Sequence, residues 1–155
     1  MIDAASDADQ RFMARALALA AAAGDAGEVP IGALVVADGH IVGEGANSVI
    51  ASADPTAHAE INALRAAAGR IGNYRLPGSV LFVTLEPCTM CVGALVHARV
   101  GELVFAAREP RAGAVCSRVR LLDTDHYNHR VAWRQGPLAD ASAQLLQAFF
   151  RARRR

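Results

Sequence analysis

Two short stretches hold the side chains best placed to do chemistry: His58-Ala59-Glu60 and Pro87-Cys88-Thr89-Met90-Cys91. Taken alone, a Cys-x-x-Cys pair serves thiol–disulfide exchange, half of a zinc ribbon, or no chemistry at all. A ribbon needs a second such pair, and Cys116 is the one cysteine left over. A redox pair belongs after an early strand of a thioredoxin-like unit, which is not the order of elements here. Placement favours a metal. Cysteines three apart at a helix start lie on one face, a turn from each other. The helix N-terminus biases both toward the thiolate that metals bind. His58 falls at the first turn of its own helix. Residues two apart do not share a helix face, so His58 and Glu60 can meet one ion only beyond the helix end. One imidazole and two thiolates give three ligands, leaving the fourth position of a tetrahedral zinc to water, as in catalytic sites. Two thiolates neutralise the formal charge of Zn²⁺, and so mild a Lewis acid benefits from a nearby base. Glu60 fits that task, although the common fate of a single helix glutamate is a solvated surface.

The elements that must position these residues read as follows. Asp9 to Ala23 is a first helix, with Phe12, Ala16, Leu19 and Ala20 at helical spacing and Gly24 as its cap. Ile31–Ala37 and Ile41–Ala46 form a hairpin through Asp38-Gly39. Asn47 to Pro55 is a loop, and Thr56 to Ala68 a helix capped by Asp54 or Thr56, with Gly69 past its end. Val80–Leu85 is a buried strand, and a third helix begins near Cys88 and runs to about His97. Leu103–Ala107 is another strand, residues 108–130 are irregular and arginine-rich, Val131–Arg134 is a short strand, and Asp140–Arg153 is a last helix. Helix, hairpin, then alternating helices and strands predict an α/β layered domain.

The 155 residues are the size of one domain, with 53% hydrophobic and 20% charged residues, as in ordinary globular proteins. A chain this long buries roughly 70% of its unfolded surface, enough for a proper core. No apolar run approaches the roughly 18 residues a membrane span needs. The acidic MIDAASDAD start lacks the positive charge of an export signal, so the expected location is cytoplasmic. All 16 basic residues are arginine. Residues 1–60 hold nine acids and two arginines, whereas residues 61–155 hold six acids and fourteen arginines. Such asymmetry suits a polyanionic partner for the second part.

The pairing of His-Ala-Glu with Pro-Cys-Thr-Met-Cys resembles the H-x-E…P-C-x-x-C signature of the cytidine/deoxycytidylate deaminase superfamily. Within it, the chain is most similar to the bacterial tRNA adenosine deaminases, from about Phe12 to Arg155. The likeness rests on EVPIGA at 28–33, GEGAN at 43–47, DPTAHAEINALR at 54–65, NYRL at 73–76 and TLEPCTMCVGA at 84–94. It continues through Asn128-His129-Arg130-Val131, Leu138-Ala139-Asp140 and FFRARR at 149–154.

The resemblance implies a single deaminase domain over residues 1–155. Its fold would be three-layered α/β/α, with a mixed central sheet of about five strands and helices on both faces. It implies hydrolytic deamination of adenosine to inosine at the tRNA wobble position, usually in the arginine tRNA with an ACG anticodon. His58, Cys88 and Cys91 would hold one Zn²⁺ per subunit. Glu60 would shuttle a proton from water to adenine N1 and assist loss of ammonia from C6. Asn47 would hydrogen-bond the flipped base. Glu109, Asn128, His129, Arg130, Phe150, Arg151, Arg153 and Arg154 would face the anticodon stem-loop, which lies across both subunits of a homodimer. Arg108-Glu109-Pro110-Arg111 departs from the family pattern, where aspartate commonly follows the arginine and lysine comes two positions later.

An anticodon-loop base is already largely unpaired, so flipping it costs little. Residues 108–155 hold ten arginines against four acids, suited to phosphate. The terminal cluster Arg151, Arg153, Arg154 and Arg155 otherwise reads as a solvated helix end. His129 alone reads as structural or exposed, His40 and His97 as structural, and Cys116 as an ordinary thiol. Two rival readings share the metal triad. One is a deaminase of a free base or nucleotide (guanine, cytosine or deoxycytidylate), which needs no arginine-rich last helix. The other is a non-catalytic, zinc-stabilised RNA-binding subunit, which does not need Glu60.

Overall fold

Five segments pair into one open mixed sheet: β1 (Gly32–Ala37), β2 (His40–Ala46), β3 (Val80–Leu85), β4 (Glu102–Ala107) and β5 (Ala132–Gln135). The computed structural model describes residues 6–154. Spatial order is β2-β1-β3-β4-β5. β1 runs antiparallel to β2 and β3, while β3, β4 and β5 are parallel. Side chains alternate across the pleat. Ala33, Val35, Leu81, Val83, Leu103 and Phe105 face one core, whereas Leu34, Val36, Phe82, Val104 and Ala106 face the other. Helix α1 (Asp7–Asp25) covers the second face through Phe12, Met13 and Ala16. Helices α2 (Ala59–Ile71) and α3 (Thr89–His97) cover the first through Ala63, Leu64, Ala67, Val92 and Leu95. The architecture is the three-layer α/β/α fold that the resemblance implied.

Strand direction decides where a site can form. β1 alone runs against the other strands, so its start shares an edge with the ends of β2, β3, β4 and β5. Asn47, Cys88 and Glu109 all leave the sheet at that edge, and α4 (Ala139–Arg153) lies beside it. Carboxyl ends of strands are where open α/β sheets bind ligands. The hairpin turn lies at the opposite edge. Asp38 and Gly39 both take positive φ, 51° and 77°, as the tight turn joining right-twisted strands requires.

Helix ends differ from expectation in instructive ways. α1 starts two residues earlier and continues through Gly24, because the chain turns out only at Ala26 and Gly27. α2 starts at Ala59 rather than Thr56. Asp54 does cap, but it caps a turn: its carboxylate accepts from the Thr56 N–H and hydroxyl, leaving residues 54–58 outside the helix. Gly69 lies inside α2, and Gly72, at φ 79°, is the residue that ends it. β5 begins at Ala132 rather than Val131.

α2 sits unusually close to β2. A Cβ at Gly43 would stand 2.5 Å from the Ala63 carbonyl oxygen, and one at Gly45 would run into the backbone of Ala59 and Ala63. These glycines let the helix start reach the sheet edge. Gly45→Ala is therefore expected to destabilise the fold by about 3 kcal/mol, the upper end for overpacking. Denaturant unfolding checks this, and an unchanged midpoint would show that α2 does not depend on the close approach.

Candidate active site

His58 is the N-cap residue of α2 and Cys88 that of α3, and neither side chain caps its helix. Both have the extended backbone usual for an N-cap residue, at ψ 156° and 175°. They converge on a common point instead. His58 Nδ1 lies 3.7 Å from Cys88 Sγ and 3.6 Å from Cys91 Sγ. The ligand atoms of all three residues lie within 4.8 Å of one another. Tetrahedral bonds of about 2.1 Å to nitrogen and 2.3 Å to sulfur place such donors about 3.5 Å apart. The triad has the donor types and spacing of a metal site. Cys116 is not among the three.

The helix start that lost its own cap is served from outside. Asn47 Oδ1 accepts the Ala59 N–H at 2.8 Å, satisfying one of the orphan donors of α2. Asn62 Nδ2 donates to the Ala46 carbonyl at 2.8 Å and to Ser48 Oγ at 3.0 Å, fixing the loop that follows β2.

Glu60 is 4% exposed. Burial pushes its carboxyl up to about 7, its own backbone N–H pulls the other way, and the charge of Cys88 adds to the rise. Between the sulfurs, a hydrogen bond from Cys91 draws Cys88 down to about 5 against the effect of burial. The same bond, with burial, raises Cys91. One proton thus serves two thiols beside an imidazole, a place where a divalent cation would favour both thiolates.

A hollow of about 360 Å³ opens beside His58, within the range of ligand pockets. Asn47, Ile50, Phe149, Phe150 and Arg153 help to line it. Arg153 stacks on Phe149 at 4.2 Å and donates to the Gly27 carbonyl at 3.1 Å, which ties the end of α4 over this hollow. A second hollow of about 290 Å³ shares Val29 and Phe150 and reaches Glu109. Arg151 and Arg154 are exposed, while Arg155 and residues 1–5 lie outside the described residues.

Asn128, His129 and Arg130 are placed elsewhere. They precede β5, whose first residue pairs with Glu102 at the start of β4. This is the sheet edge opposite the triad, and His129 Nε2 bonds the Val100 carbonyl there at 2.8 Å. Within one chain these three do not join the metal group. His40 and His97 are exposed rather than built into the core. Sequence reasoning passed over two buried acids at the triad's edge, Glu28 and Glu86. Their signal was available: each is a glutamate set among apolar residues next to a strand, in EVPIG and in TLEP.

Comparison with known proteins agrees with this geometry. The sequence model of the MafB19-like deaminase family matches residues 7–154, so the fold and its triad belong to a deaminase. The tRNA-specific adenosine deaminase of Haemophilus influenzae is 49% identical over 150 residues, 96% of this chain and 87% of that protein. A solved structure from a study of A-to-I editing by tRNA:A34 deaminases superposes with a TM-score of 0.86 and 42% identity, covering 88% of this chain and 99% of the other. A guanine deaminase from Nitrosomonas europaea superposes with a TM-score of 0.74 at 27% identity, covering 94% and 85%. This chain belongs to the tRNA-specific adenosine deaminases.

The triad is open to direct test with cobalt. Added Co²⁺ is expected to give one equivalent of a thiolate-to-metal absorption band, strongly reduced in Cys88→Ser and in Cys91→Ser. A band that survives both substitutions would remove the sulfurs from the metal site.

Proposed function

We propose that this enzyme hydrolyses the 6-amino group of adenosine at the wobble position of a tRNA, giving inosine and ammonia. The observation that carries the reading is the His58, Cys88 and Cys91 triad with buried Glu60 beside it, in a chain half identical to a tRNA-specific adenosine deaminase. His58, through Nδ1, and the two thiolates are the ligands of one zinc ion per subunit. When bound, zinc supplies the positive charge that makes water nucleophilic near neutral pH.

Glu60 performs the proton transfers. Its carboxylate takes a proton from the attacking water and delivers it to adenine N1 as the C6–O bond forms. It then moves the remaining hydroxyl proton to the 6-amino group, the C6–N bond breaks, and ammonia leaves with C6 as a carbonyl. Burial suits Glu60 to both directions, because a carboxyl held near neutrality gives and takes a proton with little bias. Asn47 orients the base: its Oδ1 is engaged by Ala59 N–H, so Nδ2 is the atom that faces a ring acceptor.

RNA selectivity comes from the walls. Phe150, 44% exposed, offers an apolar face for a splayed base. Arg151, Arg153 and Arg154 neutralise phosphate, and Glu109 stands at the adjoining hollow. The favoured substrate is the anticodon stem-loop of the arginine tRNA with an ACG anticodon, met in the cytoplasm. Among the described residues, no helix is long and apolar enough to cross a membrane. The functional unit is a homodimer. α2 and α3 leave between them an apolar groove lined by Ile61, Leu64, Ala68, Tyr74 and Ala94, and a second copy would cover it. That copy would also have to supply Asn128, His129 and Arg130 to any RNA held at the triad.

Incubation with an ACG stem-loop, followed by nucleoside mass spectrometry, is expected to show inosine. Turnover of guanine or cytidine with the stem-loop untouched would favour the free-base reading instead. Glu60→Ala is expected to keep its zinc and fold while losing about 10³-fold in turnover, the scale of a missing general acid–base. Full activity in that variant would remove Glu60 from the chemistry.

RNA affinity is expected to fall steeply with salt, and less steeply after deletion of residues 151–155, because fewer counterions are released. Fluorescence anisotropy across salt concentrations reads the two slopes. Identical slopes would take the basic end of α4 off the RNA.

A further inference from the structure

Two glutamates take no part in the chemistry just described: Glu28, ahead of β1, and Glu86, after β3. They are 5% and 2% exposed, and both stand on the sheet edge that carries the pocket. Their partners are the loops on either side. Glu86 Oε2 accepts the N–H groups of Val115 at 3.1 Å, Cys116 at 2.8 Å and Ser117 at 3.0 Å. Its Oε1 accepts the Glu109 N–H at 3.1 Å and the Ser117 hydroxyl. Glu28 grips the other wall, with Oε1 accepting from Ile50 N–H at 3.1 Å and Oε2 from Ala51 N–H at 2.8 Å.

Irregular loops have no ladder to satisfy their N–H groups, and a carboxylate accepts them with charge-assisted bonds. The fit at Glu86 leaves no slack. A Cβ at Gly113 would stand 2.5 Å from Glu86 Oε2 and 2.5 Å from the Glu109 carbonyl oxygen. Ala114 N–H also donates to the Pro87 carbonyl at 2.8 Å, joining this loop to the turn that delivers Cys88.

Each gripped loop carries part of the rim. One holds Ile50, 74% exposed, beside Asn47, and the other starts at Glu109. We propose that Glu28 and Glu86 are positioning residues that set the two walls of the RNA cleft, acting on substrate binding through Ile50 and Glu109. The inference rests on the reading of this cleft as the RNA site.

Glu86→Gln is a selective test. Its amide oxygen can keep the three N–H groups at Oε2, but its NH₂ then faces the Glu109 N–H, donor against donor. Stem-loop KM is expected to rise about tenfold while kcat stays within about threefold, as for a displaced binding wall. Zinc content should be unchanged, and amide hydrogen exchange should quicken at 109–113. Glu28→Gln should show the same split, with faster exchange at 50–51. Gly113→Ala, which leaves both carboxylates in the sequence but crowds Glu86 Oε2 and the Glu109 carbonyl, should raise KM at least as much.

An unchanged KM in both glutamine variants, with only a lower melting temperature, would overturn the proposal. A fall in kcat together with lost zinc would overturn it too, because Glu86 would then be acting on the metal turn. Glu109→Ala and Ile50→Ala separate the premise from the inference. If neither alters KM, the reading of the cleft fails, whereas quickened exchange in the glutamine variants still marks the two anchors.

Discussion

Two helices start at one point in space, and neither is capped by its own side chain. Everything at this end of the molecule depends on that convergence. A helix N-terminus carries orphan N–H groups and a partial positive charge, so two of them aimed together favour nearby anions. Cys88 answers with a thiol whose proton is loosely held, whereas burial and the bond to Cys88 hold the Cys91 proton more tightly, and His58 adds an imidazole nitrogen to the same point. At α2 the missing cap is made good from outside: Asn47 takes its first N–H. A residue that would otherwise only cap thereby becomes part of the pocket wall. Binding groups and helix stability share the same atoms.

The convergence in turn depends on strand direction. With β1 antiparallel to its neighbours and β3, β4 and β5 parallel, four strand ends and one strand start meet at a single edge. The side chains there come from segments far apart in sequence, Asn47, Cys88, Glu109 and Phe150 among them. Close packing then fixes the height of α2 above β2, because Gly43 and Gly45 let the helix backbone touch the strand. The remote pair Arg134 and Asp9, 2.6 Å apart, ties β5 to α1 and closes the other layer.

Much of this was legible in the sequence, for reasons that differ by element. Strands β1, β3 and β4 are apolar and β-branched, and sheet burial on both faces makes such runs unambiguous. Asp38-Gly39 specified its turn because only residues tolerant of positive φ suit it. The triad was visible because metal chemistry restricts donor types and spacing. Helix starts were less legible. Thr56 has the residue type of a cap, yet Asp54 folds residues 54–58 into a turn, and only the distant Asn47 shows why α2 can begin at Ala59. The place of Asn128–Arg130 was hidden for a related reason. A motif shows which residues occur together, not which edge of the sheet they occupy, and that edge follows from the parallel pairing of β5 with β4.

The likeness to a guanine deaminase sharpens what the His58, Cys88 and Cys91 triad can and cannot decide. A TM-score of 0.74 at 27% identity means that one scaffold is shared with a protein named for a free base. Fold alone therefore does not select the substrate. Selection must reside where polar and apolar groups meet the nucleotide beyond its reacting carbon. In this chain the two hollows beside the triad are walled in part by three segments: the loop after β2, the loop after β4, and the end of α4. Arg153 pins the third by bonding Gly27 and stacking on Phe149, and buried carboxylates hold the first two. A cleft with all three walls fastened has already lost the conformational freedom that binding would remove. Any ligand that enters it is then ordered against a surface that need not be ordered with it.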